Sequence, residues 1–365
     1  MTTQDTRPIG FGIVGCGMIA ENHVAAIQAS NGGRLVGAAS RSRERAEAFA
    51  RRHDVAFFTD STAELAAHPE VDVVCVTTPT GAHLEPVVAA AEAGKHVLVE
   101  KPLEISVERA DAMIAACRAH GVKLGAVFQA RFGPGARAAK EAMAGGRLGR
   151  LVLCDAYVKW YRSPDYYEEG GWKGTRRWDG GGALMNQGVH AVDLLQWLAG
   201  MPRRVSAFTG TLAHRGIEVE DTAAALIQFE HGGLGVIEAS TGTWPGTSRR
   251  LELSGDAGSV VLEDDRIARW EFEVPESRDE ETVRRLGGES LLKTGAGDAK
   301  ALNTAGHCLQ VQDMIDAIRE DRLPGIDGSE GRKAVAVIEA IYQSAREGRP
   351  VELGESIPPP DTAET

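Results

Sequence analysis

Short apolar runs alternate with amphipathic stretches through the first third of the chain. Ile9 to Val14, Leu35 to Ala39, Val71 to Val76, His96 to Glu100 and Val122 to Phe128 are the apolar runs. Their near-continuous apolar character predicts strands buried on both faces. Between them, Ile19 to Ala29, Ser42 to Arg52, His83 to Ala93 and Val107 to His120 carry helical spacing, and Gly94 and Gly121 close the last two. Strand and helix in regular alternation predict an α/β unit: a parallel, doubly wound sheet with right-handed crossovers.

After Gln129-Ala130-Arg131-Phe132 the pattern changes. Leu151 to Val158, Val205 to Leu212, Ala223 to Phe229, Gly235 to Ser240, Arg250 to Ser254 and Ser259 to Glu263 read as strands, several joined by short turns such as His231-Gly232-Gly233. Strands without intervening helices predict an α+β domain with a large, mostly antiparallel sheet. Helices cover one face of it, and the open face is the expected homodimer or homotetramer surface. Pro275 to Ala301 is polar and charged and reads as a mobile loop. His307 to Glu320 and Glu330 to Glu347 read as helices. The expected division is residues 1–127, residues 128–353, and a disordered tail over 354–365 with Pro358-Pro359-Pro360.

Composition narrows the function classes. A chain of 365 residues fits two domains at roughly 150 residues each. A net charge of −12 argues against a nucleic-acid or anionic-membrane surface. No apolar run approaches the ~20 residues of a membrane span. Met1 to Pro8 is polar with no secretory apolar region, so the expected location is cytoplasmic. Cys16, Cys75, Cys117, Cys154 and Cys308 have neither zinc-ligand nor redox-motif spacing; they read as reduced thiols, and no metal is expected.

The first strand runs straight into Gly15-Cys16-Gly17-Met18-Ile19-Ala20, a G-x-G-x-x-A pattern. Gly15 permits the tight turn, Gly17 lets the backbone approach a pyrophosphate, and Ala20 lets the helix lie close to the strand. The helix N-terminus offers free N–H groups to phosphates. At the end of the next strand, where an acid binds the ribose hydroxyls of NAD, the chain has Ser40-Arg41, with Arg43 and Arg45 beyond. A small hydroxyl and arginines suit a 2′-phosphate, so NADP is expected over NAD. Val97-Leu98-Val99 ends in Glu100-Lys101-Pro102 at the carboxyl edge of the same sheet, where such sheets bind ligands. The candidate cofactor-binding residues are Gly15, Gly17, Met18, Ile19, Ser40, Arg41, Thr78, Pro79, His83, Glu100 and Gln129.

In the second domain, residues 157–178 hold Tyr157, Trp160, Tyr161, Tyr166, Tyr167, Trp172 and Trp178, interleaved with Lys159, Arg162, Lys173, Arg176 and Arg177. Aromatic faces beside basic donors suit a polyhydroxylated ligand, including one with a carboxylate. Gly180-Gly181-Gly182 then leads into a helix on which Asn186, His190 and Asp193 share a face. An imidazole there is a candidate acid–base group.

Together, Gly15 to Ala20, Ala93 to Pro102 and Gly180 to Asp193 resemble the glucose-fructose oxidoreductase / inositol dehydrogenase / rhizopine catabolism (Gfo/Idh/MocA) family. The resemblance implies a Rossmann domain followed by an open-faced α/β domain, and NAD(P)-dependent oxidation or reduction of sugars, sugar acids or inositols. The family's lysine falls on Lys101 and its helical histidine on His190, the expected acid/base pair. Many inositol-dehydrogenase-like members carry Asp where this chain has Asn186, so the expected proton relay leans on Lys101 and His190 without a carboxylate. The expected substrate contacts are Lys101, Tyr161, Trp172, Lys173, Asn186, His190 and His307. An NAD-dependent glycosidase and a non-catalytic cofactor-binding regulator are the alternatives; the regulator would not need the acid/base pair.

Overall fold

The computed structural model describes residues 7–168, 171–288 and 304–354. Its first part runs β1 (Ile9–Val14), α1 (Met18–Ala29), β2 (Gly33–Ala39), α2 (Arg43–Arg52), β3 (Phe57–Thr59), α3 (Thr62–Ala67), β4 (Val73–Val76), α4 (Leu84–Glu92), β5 (His96–Val99), α5 (Val107–Ala119) and β6 (Leu124–Ala126). The six strands are parallel in the order β3-β2-β1-β4-β5-β6. The order reverses between β1 and β4, which opens a crevice at their carboxyl ends. Ser42, Ser61 and Ser106 cap α2, α3 and α5 by accepting a backbone N–H three residues on. α1 has no such side-chain cap. β3 and α3 are not among the expected elements, because three and six residues are too few to show a period.

The second part contains α6 (Pro134–Ala144), β7 (Leu151–Lys159), α7 (Pro164–Glu168), α8 (Val189–Ala199), β8 (Pro202–Gly210), β9 (Thr222–Phe229), β10 (Leu234–Ser240), β11 (Arg250–Gly255), β12 (Gly258–Glu263), β13 (Arg266–Phe272), α9 (Asp279–Leu286), α10 (Ala305–Arg319), α11 (Gly328–Glu347) and β14 (Val351–Glu352). Its eight strands lie in the order β13-β12-β11-β7-β10-β9-β8-β14, antiparallel except where β7 meets β10. Along β9, Ala223, Ala225, Ile227 and Phe229 are buried on the helix-covered face, while Leu226 points the other way. Leu153, Phe208 and Leu234 share that open face by register and are likewise exposed.

One expectation is corrected. Pro275 to Ala301 does not read through as a loop: α9 occupies Asp279–Leu286, with Leu286 buried. Asp279 anchors it, accepting from both terminal nitrogens of Arg147 at 2.6 and 2.7 Å and from Trp270 Nε1 at 2.8 Å. Its polarity is that of a surface helix, with acids in the first turn and arginines in the last, as the helix dipole favours. Residues 289–301 of the expected loop, and all of the expected tail but Gly354, lie outside the described residues.

The last helices close the molecule back on its beginning. α10 packs against α1, and α11 packs against α5 and β6 of the first sheet as well as α8 and β8 of the second. Two buried polar devices hold this arrangement. Arg131 donates to both carboxylate oxygens of Asp193 at 2.6 and 2.8 Å and to Glu330 at 2.8 Å, joining the turn after β6 to α8 and α11. Asp193 therefore serves the interior and does not share a ligand face with Asn186 and His190.

Glu100, just past β5, forms the second device. Its Oε1 accepts from Nε2 of His23 in α1 at 2.9 Å and of His307 in α10 at 3.2 Å. Its Oε2 accepts from the Lys101 N–H at 3.1 Å. Burial opposes the charge, but the two histidine bonds outweigh it and hold this carboxyl well below the usual carboxylate range. Burial lowers the His23 pKa despite Glu100, so the ring stays neutral in the fold.

An unfolded His23 takes up a proton below pH ~6.5. The folded state then binds fewer protons than the unfolded one, and this contribution to stability is lost as pH falls through that window. His23→Gln keeps a donor toward Glu100 and removes the titration. Its urea midpoint is expected to fall less than that of the wild type between pH 7.5 and 5; an equal fall would mean His23 is not buried neutral.

Candidate functional site

A cleft of about 1580 Å³ runs along the carboxyl edge of the first sheet and under the second domain. At one end lie Gly15, Gly17, Met18 and Ile19. Gly15 has φ +103°, and a Cβ there would meet the Thr77–Thr78 backbone within 3 Å, so the turn requires glycine. A Cβ on Gly17 would meet nothing within 4 Å: the space beside the uncapped start of α1 is open, as a pyrophosphate requires. Ser40 and Arg41 line the next part, with Arg45 and one acid, Asp60. Thr78 and Pro79 form the facing wall. Thr77 Oγ1 ties that wall to the glycine loop by donating to the Gly15 carbonyl at 2.6 Å. These groups fit a dinucleotide.

His83 does not line the cleft. It is buried behind the wall, 3.0 Å from the Thr78 carbonyl and 3.1 Å from that of Leu103, and so supports the loop that does.

Glu100, Lys101 and Gln129 border the middle of the cleft, and Asn186 and His190 meet them from the second domain. The chain reaches His190 through an irregular turn. Residues Ala183–Gly188 are wound as a π-helix before α8 begins, a local widening often found at functional sites. Glu220 makes this turn possible: its carboxylate accepts from the N–H groups of Gly182 and Leu184, each at 2.9 Å, and from the Tyr342 hydroxyl at 2.8 Å. The approach is so close that a Cβ on Gly182 would lie 1.7 Å from the Glu220 carbonyl.

Both basic groups are pushed toward their neutral forms. Burial lowers the Lys101 pKa, against the charges of Glu100 and Asp179. Burial, then the positive charges of Lys101 and Arg249, hold His190 well below the usual histidine value. Lys101 Nζ donates to the Asn186 main-chain carbonyl at 2.9 Å. The His190 and Phe128 rings lie nearly perpendicular with their centres 5.9 Å apart, and His190 Nδ1 has no hydrogen-bond partner.

Trp172 and Lys173 line the second domain's side of the cleft with Trp160, Arg162, Tyr166, Arg177 and Trp178. The Trp178 carbonyl accepts from the Gly81 N–H at 2.9 Å, and the Arg41 guanidinium lies 5.8 Å from the Trp178 ring centre, so this segment bridges the two domains. Tyr161 and His307 do not line the cleft. Tyr161 packs edge-on against Trp244, and His307 holds Glu100 from behind.

Two functional neighbours escape a sequence reading. His23 carries no signal beyond its place in α1. Asp179 sits just before the glycine triplet and brings a buried carboxylate within hydrogen-bond distance of the Asn186 amide, 2.8 Å. His23, Glu100 and His307 also form a possible metal-ligand trio. Both histidines leave Nδ1 buried without a partner, whereas metal-bound imidazoles use that nitrogen in a further hydrogen bond. The donor set fits a hydrogen-bonded clamp.

Residues 9–128 match the NAD-binding Rossmann-fold domain of the Gfo/Idh/MocA oxidoreductase family, and residues 140–353 match its C-terminal α/β domain. A 1,5-anhydro-D-fructose reductase of Ensifer adhaerens is 30% identical over 94% of this chain and 98% of its own length. Inositol 2-dehydrogenase of Rhizobium meliloti is 26% identical over 94% of this chain and 99% of its own. The WlbA dehydrogenase of Bordetella pertussis, solved with NADH and UDP-GlcNAcA, is 34% identical over 96% of this chain and 98% of that one, with a TM-score of 0.86. A glycine loop at the sheet's switch point, a Glu-Lys-Pro strand end facing a helical histidine, and matches spanning both domains lead to one assignment: this chain belongs to the Gfo/Idh/MocA oxidoreductase family.

Proposed function

We propose that this oxidoreductase transfers a hydride between NAD(P) and a sugar, sugar acid or inositol-type polyol, with Lys101 and His190 as its acid/base pair. One observation carries the reading: two half-buried bases from different domains, both pushed toward neutrality, border a cleft that also contains a dinucleotide cradle. The relatives' names support the substrate class, and the aromatic and basic wall around Trp172 and Lys173 suits a polyhydroxylated, anionic ligand.

The nicotinamide, when bound, exchanges the hydride with the substrate carbon. In oxidation the hydroxyl loses its proton to Lys101 Nζ, which becomes an ammonium, while neutral His190 holds the same oxygen; in reduction Lys101 returns the proton. Asn186 and the aromatic wall orient the ring.

Turnover is read as nicotinamide absorbance with sugars, inositols and sugar acids, UDP-GlcNAcA among them. Lys101→Ala is expected to lower kcat by ~10²–10⁴-fold while reduced-cofactor binding, followed by fluorescence, stays near wild type. Near-normal kcat in that variant would end the assignment.

The finer cofactor choice follows from Ser40, Arg41 and Arg45, whose two positive charges outweigh Asp60 at the ribose end. NADP is the proposed preference. Arg41→Ala is expected to weaken NADP binding by about tenfold or more relative to NAD, the scale of one lost charged hydrogen bond. A wild-type preference for NAD would overturn this choice and leave the reaction untouched.

A second copy of the chain is the proposed cover for the open sheet face, where Phe208 and Leu226 stand 82% and 65% exposed. Leu226→Asp is expected to lower the mass seen by light scattering to that of one chain. A wild-type protein already monomeric would refute the proposal.

A further inference from the structure

Asp179 has no role in the scheme above, yet it is built into the site. It is 2% exposed and lies between the segment bearing Trp172 and Lys173 and the glycine triplet. One carboxylate oxygen accepts from the Gly174 N–H at 2.8 Å, and the other from Asn186 Nδ2 at 2.8 Å. Asn186 accepts in turn from Lys101 Nζ at 2.9 Å through its main-chain carbonyl. The donor end of the Asn186 amide faces Asp179, because a carboxylate only accepts. Its carbonyl oxygen is left as an acceptor, on a residue that lines the cleft.

We propose that Asp179 is a positioning carboxylate for proton transfer at Lys101: it orients the Asn186 amide and supplies, from behind it, a negative charge that sets the proton affinity of Lys101. The proposal rests on the oxidoreductase reading above. No bond to Asp179 is made or broken. The hydroxyl proton goes to Lys101 Nζ, and the charge of Asp179 favours the ammonium so formed.

The electrostatic surroundings agree with this geometry. Burial pushes the Asp179 carboxyl up to about 6, against the Gly174 N–H, the Asn186 amide and the charge of Lys101, with Glu220 adding to the rise. Both hydrogen bonds to Asp179 come from neutral groups, and Lys101 is the cation acting on it. The charged groups acting on Lys101 are Glu100 beside it, Asp179 from the glycine-triplet loop and Arg162 from the segment after β7, the first two favouring its ammonium and the last opposing it. His190, on α8, feels Lys101 in turn and stays neutral, so it contributes no charge near neutral pH. Removing Asp179 deletes one of the two acids that sustain the lysine's basicity.

The test is the pH dependence of kcat/KM for oxidation, measured with the wild type, Asp179→Asn and the exchange variant Asp179→Asn/Asn186→Asp. The limb set by loss of the Lys101 proton is expected to move to lower pH in Asp179→Asn by about one unit or more, the usual effect of a close opposite charge. In the exchange variant, which returns the carboxylate to the other member of the pair, the limb is expected to move back toward its wild-type position. A purely structural role would lower the rate without moving the limb, so an unmoved limb in folded Asp179→Asn overturns the proposal. If the single variant does not fold, the exchange variant decides alone: rates that rise over the wild-type pH range support a charge requirement met from either position, and a lower limb refutes it. A wild type that oxidises no sugar or polyol would instead overturn the underlying reading, and that is seen before any variant is made.

Discussion

A single buried carboxylate sets the geometry on which this molecule's cleft depends. Glu100 accepts from His23 on the helix that follows the glycine loop, from His307 on α10 and from the N–H of Lys101. A charge buried without donors would be too costly to keep, so these partners are required as soon as Glu100 lies inside. By meeting that requirement they fix the dinucleotide helix, the strand end bearing Lys101 and a C-terminal helix against one another. Lys101 is then held at the mouth of the crevice by its own main chain, before any ligand arrives.

The second domain uses the same physics for the opposite wall. Glu220 bonds to the N–H groups that begin the π-turn, and that turn carries Asn186 and leads into His190. Arg131, Asp193 and Glu330 lock α8 and α11 to the turn after β6. The cleft is therefore bounded by two frames, each held by a buried acid and joined by a third buried ion-paired cluster. Beside this middle, the Trp178 segment reaches across to Gly81 and Arg41 of the first domain.

Much of the fold was legible in the sequence because its signals are local. The buried strands of the first sheet and the helices between them follow from apolar runs and helical periodicity, and the expected bounds differ from the observed ones by two or fewer residues at most ends. Where an element was too short, as β3 and α3 were, no period existed to read. Where a surface helix was short and mostly polar, as α9 was, it resembled a loop; its hold on the domain comes largely from Arg147 and Trp270, far away in sequence or on the neighbouring strand. Tyr161 and His307 illustrate a different error. Their chemistry suited a ligand, but side-chain direction depends on packing partners that composition does not name.

The chain by itself determined the plan of two successive sheets, the glycine loop, the strand-end lysine and the helical histidine, because backbone sterics and periodicity act over a few residues. Tertiary structure alone decided which polar groups meet. His23 and Glu100 are 77 positions apart, and Glu100 and His307 are 207 apart. Asp179 lies only seven positions from Asn186, yet a glycine triplet and a π-turn had to bend the chain before the two could bond. The sequence thus named Glu100 and Lys101 as neighbours; only the fold, by burying one and aiming the other into a cleft, made them parts of a site.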